Sequence, residues 1–345
     1  MSHNSTTPAK LPSNQFDHFY RGGNRIGALR HGPGGPMRPE EWIGSVTTRF
    51  GEAEQGLSRL EDGTLLRDAI KADPDNWLGA DHVKNFGLST EILIKLLDPD
   101  QRLPVHYHPN KAFAKTHLGL DHGKTEAWII LEAPTGSGVG LGFATKQNKE
   151  DLLKLVRAQD SAALLASLRR TEVKVGDAVL VPAGVAHAID AGIFVLELQE
   201  PTDLSALLEW NDFAVDGVKD GHLGLGFDTV LDALRYTPIE KDEASKLVFS
   251  NRLFSNSDQS VFTAVADPYF RADYLAGNSS KIAAGFSIML VLEGNGNIAF
   301  ENHSAIDAVK GDAILIPHSA GSWTLSGASG VVCRPPLAKD APLAI

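Results

Sequence analysis

Short apolar runs ended by Gly, Pro, Asn or Asp recur through the middle and the C-terminal part of the chain. The stretch SIMLVLEGNGNIAF (287–300) is one of them, and runs of this kind predict antiparallel strands and hairpins. The first 90 residues differ, because LLRDAIKADPDNWLGADHV (65–83) has the pattern of short helices broken at Pro74 and Gly79. The chain is therefore predicted to be mainly β, with a helix-containing N-terminal region.

A weak internal repeat indicates two similar β domains. The segment GDAVLVPAGVAH (176–187) resembles GDAILIPHSAGS (311–322), and a strand pair around an acidic residue precedes each copy. That acidic residue lies 44 positions before the Gly-Asp pair in the first copy and 18 positions before it in the second. Two such units predict two jelly-roll barrels, of which the first carries an insertion.

The insertion, about residues 146–170, is predicted to be helical. Its sequence, KQNKEDLLKLVRAQDSAALLASLRR, contains neither Gly nor Pro and has apolar residues at helical spacing. Residues 1–16 are polar and lack the apolar core of a signal peptide, so they predict a flexible tail. The first barrel would then span residues 17–245, and the second barrel residues 246–345.

Composition narrows the classes of function. A formal net charge of −11 argues against a nucleic-acid or anionic-membrane surface, and no apolar run reaches the length of about 18 residues that a membrane span needs. A single cysteine, Cys333, excludes an internal disulfide framework and a cysteine-based zinc site. We therefore expect a cytoplasmic protein that binds a small molecule, while the composition predicts nothing about oligomeric state.

The stretch LPVHYHP (103–109) places two histidines on one face of a predicted strand. Alternate strand residues point the same way, so His106 and His108 converge while Tyr107 points away. A lone histidine on a strand is more often an ordinary hydrogen-bonded group, and His18, near the polar tail, and His222 are interpreted in that way. A same-face pair favours metal binding instead.

Two further segments supply partners for this pair. In HGKTEAWIIL (122–131), Lys124, Glu126 and Trp128 share a face by the same rule, and His187 follows the Pro-Ala-Gly turn after the strand DAVLV. Three imidazoles and one carboxylate form a ligand set that zinc and other divalent metals accept. The sequence therefore predicts a site for one divalent metal ion per chain, bound by His106, His108, Glu126 and His187.

Several motifs together resemble the type I mannose-6-phosphate isomerases, which are zinc-dependent proteins of the cupin superfamily. They are RGGNRIG (21–27), EEWIGS (40–45), ILIKLLDPDQRLPVHYHP (92–109), GKTEAWIILEA (123–133) and GDAVLVPAGVAHAIDAGIFVLELQE (176–200). The resemblance implies two cupin-type barrels, a metal-free C-terminal barrel, and the same four metal ligands, with His106 at the position of the family's glutamine. In the C-terminal repeat Ser322 occupies the position of His187.

The resemblance also implies a reaction, the interconversion of a mannose-type and a fructose-type sugar or sugar phosphate through an enediol. The metal would polarise the sugar oxygens, and a base would move a proton between C1 and C2. Lys124 is the first candidate for this base because its strand phase aims it at the metal; binding the substrate is its alternative role. His122 is a weaker acid–base candidate, and Glu197 corresponds to a family glutamate near the site.

Two further residues are candidates for contact with the sugar. Trp128 continues the face of Lys124, and Asp190 lies in the loop after His187, where a simple turn role is the alternative. The family arginine that assists substrate binding is replaced by Leu207, which cannot clamp a phosphate. The substitutes considered for phosphate binding, each of which could equally lie on a solvated face, are Lys111, Lys115, Arg157, Arg169 and Arg170.

Two other classes remain open from the sequence. A cupin oxygenase would use the same three histidines and glutamate for iron or manganese, although it needs neither the Gly-Lys-Thr-Glu lysine nor the helical insertion. A non-catalytic sugar-binding or regulatory cupin would hold zinc as a structural ion, as the absence of the arginine at Leu207 allows. Metal content and turnover separate these classes from an isomerase.

Overall fold

Strands form most of the regular structure in the computed structural model, which describes residues 6–337. The strands of this part of the chain are β1 (Ala9–Lys10), β2 (Glu40–Ile43), β3 (Leu93–Leu97), β4 (His106–Tyr107), β5 (Glu126–Glu132), β6 (Gly138–Phe143), β7 (Leu168–Glu172), β8 (Ala178–Val181), β9 (His187–Ile189), β10 (Phe194–Gln199), β11 (Ala206–Leu207), β12 (Val248–Phe249), β13 (Gln259–Ser260), β14 (Arg271–Leu275), β15 (Asn278–Ile282), β16 (Ser287–Phe300), β17 (Ile306–Val309), β18 (Ala313–Ile316) and β19 (Trp323–Arg334).

The helices are short, and they concentrate in the N-terminal region and the insertion. They are α1 (Asn24–Arg30), α2 (Leu66–Ala72), α3 (Pro74–Leu78), α4 (Ala80–Phe86), α5 (Lys111–Leu118), α6 (Lys149–Ala158), α7 (Ser161–Ser167), α8 (Gly217–Asp220), α9 (Phe227–Val230) and α10 (Lys241–Leu247). Among residues 6–337, no helix has both the length and the apolar character needed to cross a membrane.

Local sequence explains where these helices begin and end. The helix α2 ends at Ala72 with Asp73 as its C-cap, and Pro74 then occupies the first position of α3, where its missing N–H costs nothing. The insertion helices α6 and α7 begin after Asn148 and Asp160, whose side chains accept hydrogen bonds from the backbone at the first turn. The predicted helical insertion and the helix-containing N-terminal region are therefore confirmed.

The first barrel consists of two antiparallel sheets. One has the strand order β12-β8-β5-β10-β3-β2, and the other has the order β11-β4-β9-β6-β7. Strands β8 and β10 are buried along their whole length, and β10 buries Glu197 and Gln199 among its apolar residues. The predicted mainly β fold with jelly-roll barrels is confirmed.

The register of the five-stranded sheet places chemically important residues in one row. Leu207 lies opposite His106, His106 lies opposite His187, and His187 lies opposite Leu141. Residues directly opposite each other on antiparallel strands point to the same face. Tyr107 takes the other face and packs in a cluster with the insertion residues, so the insertion covers the outside of the sheet that carries the histidines.

The second barrel is built around the two longest strands. β16 and β19 pair along their length, with breaks in register between Val291 and Glu293 and between Gly294 and Asn297. Such irregularities bend strands, and here β16 pairs with β18 before the bend and with β17 after it. Apolar side chains, including Met289 and Trp323, form a separate core inside this barrel.

The structure differs from two predicted boundaries, the end of the tail at residue 16 and the start of the second barrel at residue 246. In the predicted flexible tail, residues 1–5 lie outside the described part, but Ala9–Lys10 pair with β18 of the second barrel and Leu11 is buried. Beyond residue 246, Val248–Phe249 pair with β8 of the first barrel. A strand of two residues is too short to show an alternation of apolar and polar positions. The sequence pattern therefore could not predict that each barrel pairs with a strand from outside its predicted range.

Candidate metal centre

Three buried histidines converge at one point inside the first barrel. One ring nitrogen from each of His106, His108 and His187 lies within 4.8 Å of the other two. The Nε2 atoms of His106 and His187 are 3.0 Å apart. The structure thus brings together the three imidazoles that the sequence predicted as metal ligands.

Backbone carbonyl groups hold all three rings in the same tautomer. Nδ1 of His106 donates to the oxygen of Pro104 at 2.8 Å, and Nδ1 of His187 donates to the oxygen of Val185 at 2.8 Å. Nδ1 of His108 lies 2.6 Å from the oxygen of Leu204. A carbonyl oxygen only accepts, so we assign the proton to Nδ1 of each ring and a lone pair to each Nε2.

Glu126 adds a carboxylate to this cluster from the opposite sheet. Its Oε2 lies 2.9 Å from Nε2 of His108, and its Oε1 lies 3.2 Å from Nε2 of His187. The Trp128 indole donates to Oε1 at 3.1 Å. Burial raises the pKa of Glu126, but the neighbouring charges, of which Lys124 has the largest effect, outweigh burial and keep that pKa well below its usual range.

The acceptor atoms of this cluster face one another. Lys124 contacts His108 and Glu126, but no donor hydrogen separates the Nε2 lone pairs of His106 and His187, which are 3.0 Å apart, and a cation bound between them would relieve their repulsion. Burial is the main reason why the pKa of His106 is well below its usual value and that of His108 is about 3. Neutral imidazoles and a carboxylate are the forms that bind a divalent metal, so the residues fit such an ion.

Lys124 and Glu197 lie beside the ligand cluster, as the sequence predicted. Nζ of Lys124 is 2.9 Å from Oε2 of Glu126, 3.2 Å from Nε2 of His108 and 3.8 Å from Oε1 of Glu197. That oxygen of Glu197 is buried, and no hydrogen-bond partner for it occurs among the described residues. Burial and the charge of Glu126 raise the pKa of Glu197 to about 8.

A second buried charged network, which our sequence analysis did not identify, flanks Glu197. Lys95 lies directly opposite Glu197 on β3, and its Nζ is 3.3 Å from Oε2 of Glu40 and 3.4 Å from Oδ1 of Asp203. Tyr20 donates to Oε1 of Glu40 at 2.7 Å. A lysine within the apolar run ILIKLL (92–97) was the available signal, because a buried lysine requires charged partners.

His18 belongs to this network and not to the polar tail. Its side chain is almost fully buried, and its Nδ1 lies 3.6 Å from Oε1 of Glu40. Burial lowers the pKa of His18, more than the negative charge of Glu40 raises it. The structure therefore places His18 in the interior and not near a mobile end, while its interpretation as a histidine outside the metal ligand set is not contradicted.

Three other predicted site residues have different surroundings. Trp128 is only 1% exposed and contacts Glu126 and the ring of His187, so it packs against two of the predicted metal ligands. Nε2 of His122 is 3.3 Å from Oε1 of Glu91, at the edge of a cavity. Asp190 accepts from the backbone of Gly138 at 2.9 Å and pairs with Arg170, which is consistent with a turn role.

Several of the cations considered as phosphate ligands are engaged elsewhere in the fold. Lys115 pairs with Asp121, Arg157 lies near Asp228, and Arg169 donates to the carbonyl of Ile239. Leu207 is buried directly opposite His106. The barrel therefore has an apolar side chain at the place where the family resemblance implies an arginine.

A cavity of about 900 Å³ adjoins the buried site. Its walls come from residues 46–51, one face of α2, and residues 88–89, 120–122 and 201–204. Within this last segment Asp203 pairs with Lys95, and the carbonyl of Leu204 accepts from His108. A single layer of residues, the segment 201–204, therefore lies between the cavity and both the metal centre and the Lys95 network.

Comparison with known proteins confirms the resemblance noted from the sequence. No family model matches the chain. The mannose-6-phosphate isomerase of Streptococcus mutans is 29% identical over 281 residues, which cover 79% of this chain and 82% of that protein. The mannose-6-phosphate isomerase ManA of Bacillus subtilis is 29% identical over 241 residues, covering 68% of this chain and 72% of its own.

Solved structures share the whole architecture. The mannose 6-phosphate isomerase of Bacillus subtilis superposes with a TM-score of 0.72 at 20% identity, over 95% of this chain and 99% of its own. A zinc-bound mannose 6-phosphate isomerase gives a TM-score of 0.72 at 16% identity, over 96% of this chain and 100% of its own. These likenesses confirm the cupin-type fold of both barrels.

Proposed function

We propose that this chain, a relative of the mannose-6-phosphate isomerases, is a metal-dependent aldose–ketose isomerase. It would interconvert a mannose-type and a fructose-type sugar or sugar phosphate through an enediol. The observation that carries the proposal is the convergence of three imidazole lone pairs and the Glu126 carboxylate beside Lys124. Neither a simple scaffold nor a closed structural ion site accounts for a lysine in contact with two of the four ligand side chains.

The residues that would hold the metal are His106, His108, Glu126 and His187. We propose one zinc ion per chain, because three imidazoles with one carboxylate suit this metal and leave room for a further oxygen ligand. When bound, the ion would supply Lewis-acid chemistry that polarises the sugar oxygens and stabilises negative charge on them. Trp128 and the backbone carbonyl groups would fix the orientation of the ligands.

Lys124 would move the proton between C1 and C2. Its amine lies among the ligand side chains, so a sugar whose oxygens reach the metal centre would present its C1–C2 bond to this nitrogen. The fixed position of Lys124 between His108 and Glu197 would let one group both remove the proton and return it.

Glu197 would transfer the proton between the sugar oxygens on C1 and C2. Isomerisation also requires a proton to move between the oxygens on C1 and C2, and a carboxyl group with a pKa of about 8 can carry one near neutral pH. Its buried Oε1 accepts no hydrogen bond from the described residues and lies 3.8 Å from Nζ of Lys124. Glu40 and Asp203 hold the neighbouring Lys95 in position, so its positive charge would stay at a fixed place opposite Glu197.

We place the activity in the cytoplasm. The one cysteine of the chain, Cys333, is a buried free thiol in β19, and sugar phosphates are intracellular small molecules. The proposed partner is therefore a small sugar or sugar phosphate and not a nucleic acid, which agrees with the net charge of −11.

A coupled assay of the zinc-loaded protein tests this function. Mannose 6-phosphate, free mannose and other aldoses would be compared, with ketose formation as the readout and metal-stripped protein as the control. In deuterated water, proton transfer through an enediol should introduce deuterium at C1 or C2 of the product. Absence of turnover on every sugar, with zinc bound, would reject the proposal; iron content with oxygen consumption would favour the oxygenase class instead.

A further inference from the structure

Lys124 lies just outside the regular part of the first barrel. Strand β5 begins at Glu126, and its ladder with β10 ends at the pair of Glu126 with Gln199. Pro201 follows shortly after β10, and a proline has no N–H with which to continue a ladder. The backbone on either side of Lys124 therefore needs other hydrogen-bond partners.

Side chains from the segment after β10 supply two of these partners. The backbone N–H of Thr125 donates to Oε2 of Glu200 at 2.7 Å, and the N–H of Glu200 donates to the oxygen of Thr125 at 3.0 Å. The hydroxyl of Thr202 donates to the carbonyl oxygen of Gly123 at 2.7 Å. Glu200 and Thr202 thus hold the residues immediately after and before Lys124.

A third contact holds the backbone nitrogen of Lys124 itself. Its N–H donates to the oxygen of Pro109, the residue after His108, at 3.0 Å. A Cβ at Gly123 would lie 2.5 Å from the backbone nitrogen of Lys111, so this close approach of the two segments requires glycine. The side chain of Lys124 therefore starts from a backbone that is held on three sides.

The Glu200 carboxylate is costly to bury at this place. The residue is 7% exposed, and between positions 6 and 337 it forms no ion pair. Burial raises the pKa of Glu200, and the hydrogen bond from Thr125 and the charge of His122 lower it by less. A buried carboxylate without an ion pair lowers stability, and such departures are typical of functional positions. Its presence is therefore better explained by a role in the neighbouring site than by stability.

We propose that Glu200 and Thr202 are positioning residues that hold the amine of Lys124 beside the predicted metal ligands. With the backbone so held, Nζ lies 2.9 Å from Oε2 of Glu126 and 3.2 Å from Nε2 of His108. This inference rests on the proposed isomerase function, in which Lys124 moves the proton, and it adds two residues that act through Lys124. A displacement of about 1 Å in a reacting group can lower a rate about 100-fold.

Steady-state kinetics of zinc-loaded Glu200 variants with mannose 6-phosphate test this role. Glu200→Ala should lower kcat about 100-fold, because it removes the acceptor for the N–H of Thr125. Glu200→Gln should stay within about fivefold of wild type, because an amide oxygen still accepts that hydrogen bond, although more weakly than a carboxylate. KM should change less than about twofold in both variants, since Glu200 would act on the reaction only through Lys124.

A threonine pair provides a second, matched comparison. Thr202→Val keeps the shape of the side chain and removes the donor to Gly123, so it should lower kcat about tenfold. Thr90→Val is the control, because Thr90 is also a buried threonine whose hydroxyl donates to a backbone carbonyl, that of Ile92. The control should leave kcat unchanged. If Glu200→Ala does not fold, Thr202→Val still tests the proposal.

Crystal structures of the same zinc-loaded proteins give a result that does not depend on turnover. In Glu200→Ala and Thr202→Val, Nζ of Lys124 should move by at least about 1 Å while the four ligand side chains stay in place. That shift, absent in Thr90→Val, supports the positioning role even if no sugar is turned over. Lys124 at its wild-type position in these variants, or equal kcat in Glu200→Ala and Glu200→Gln, overturns the role even if the chain is an active isomerase.

Discussion

His106 and His187 lie directly opposite each other on adjacent antiparallel strands, with their Nε2 atoms 3.0 Å apart. In both residues Nδ1 faces the carbonyl oxygen two positions earlier in the chain, that of Pro104 in one case and of Val185 in the other. The same local geometry on two strands thus aims two lone pairs at one point. This relationship, completed by His108 and Glu126, is the physical basis of the proposed metal centre.

Trp128→Phe should weaken zinc binding without unfolding the barrel. The indole N–H donates to Oε1 of Glu126, and phenylalanine keeps most of the buried ring while removing that donor. Loss of a hydrogen bond to a metal ligand typically costs about 10–100-fold in metal affinity. Competition with a chelator measures this. The control is Trp210→Phe, since Trp210 stacks on Phe227 outside the centre; equal losses in the two variants would contradict the supporting role of Trp128.

Lys124→Ala should lower kcat by at least about 100-fold while zinc remains bound, because a positioned proton-transfer group contributes roughly that much or more. Lys124→Arg should not restore kcat, since a guanidinium keeps its proton at accessible pH. Steady-state kinetics and metal analysis of the same samples check both statements, with the exposed Lys154→Ala as control. Substantial activity in the arginine variant would show that Lys124 contributes charge and not proton transfer.

The pH dependence of stability in metal-free protein should report on Glu197. Burial and the charge of Glu126 raise its pKa from 4.5 to about 8. The contribution of Glu197 to stability is therefore complete below about pH 4.5 and is lost as the pH rises toward 8. Glutamine does not titrate, so Glu197→Gln should gain stability relative to wild type across this window.

Denaturant unfolding of the two metal-free proteins at several pH values between about 5 and 8.5 measures that difference. Glu172→Gln, at an exposed position on β7, is the control and should show a much smaller change relative to wild type. A stability difference between Glu197→Gln and wild type that is constant with pH would show that Glu197 is ionised throughout the folded state.

Two glycine substitutions test how the N-terminal helices pack on the second barrel. Gly79 has φ 93°, and an added Cβ would lie 2.4 Å from the ring of His318, whereas Gly87, with φ 65°, has open space around it. Gly87→Ala should cost about 1–3 kcal/mol from backbone strain alone, because φ 65° with ψ −134° is a conformation that residues other than glycine rarely adopt. Gly79→Ala should cost roughly 1–3 kcal/mol more than that, because overpacking against His318 is added. Equal losses in thermal unfolding would mean that His318 does not hold this position.

The proposed ligand set could be predicted from the sequence because the information in each of its segments is local. Strand alternation placed His106 with His108 and Lys124 with Glu126, and the turn before His187 marked the end of a strand. The internal repeat likewise indicated two barrels. Each of these signals lies within about ten residues of chain, where period and turn chemistry determine direction.

The second charged network could not be predicted, because its members come from distant segments. Lys95 meets Glu40 and Asp203 only after β2, β3 and the chain following β10 have assembled. The same limit applied to the cavity, whose walls come from five separate segments. Charge in an apolar run, as at Lys95, indicates that partners exist but not which residues they are.

Anomalous scattering from crystals of zinc-saturated protein, measured on both sides of the zinc absorption edge, tests the central claim most directly. We predict one strong peak per chain inside the first barrel, about 2.0–2.2 Å from Nε2 of the three histidines and from an oxygen of Glu126. The three histidines are His106, His108 and His187. No peak among these side chains after saturation, or a peak bound by other residues, would contradict the account.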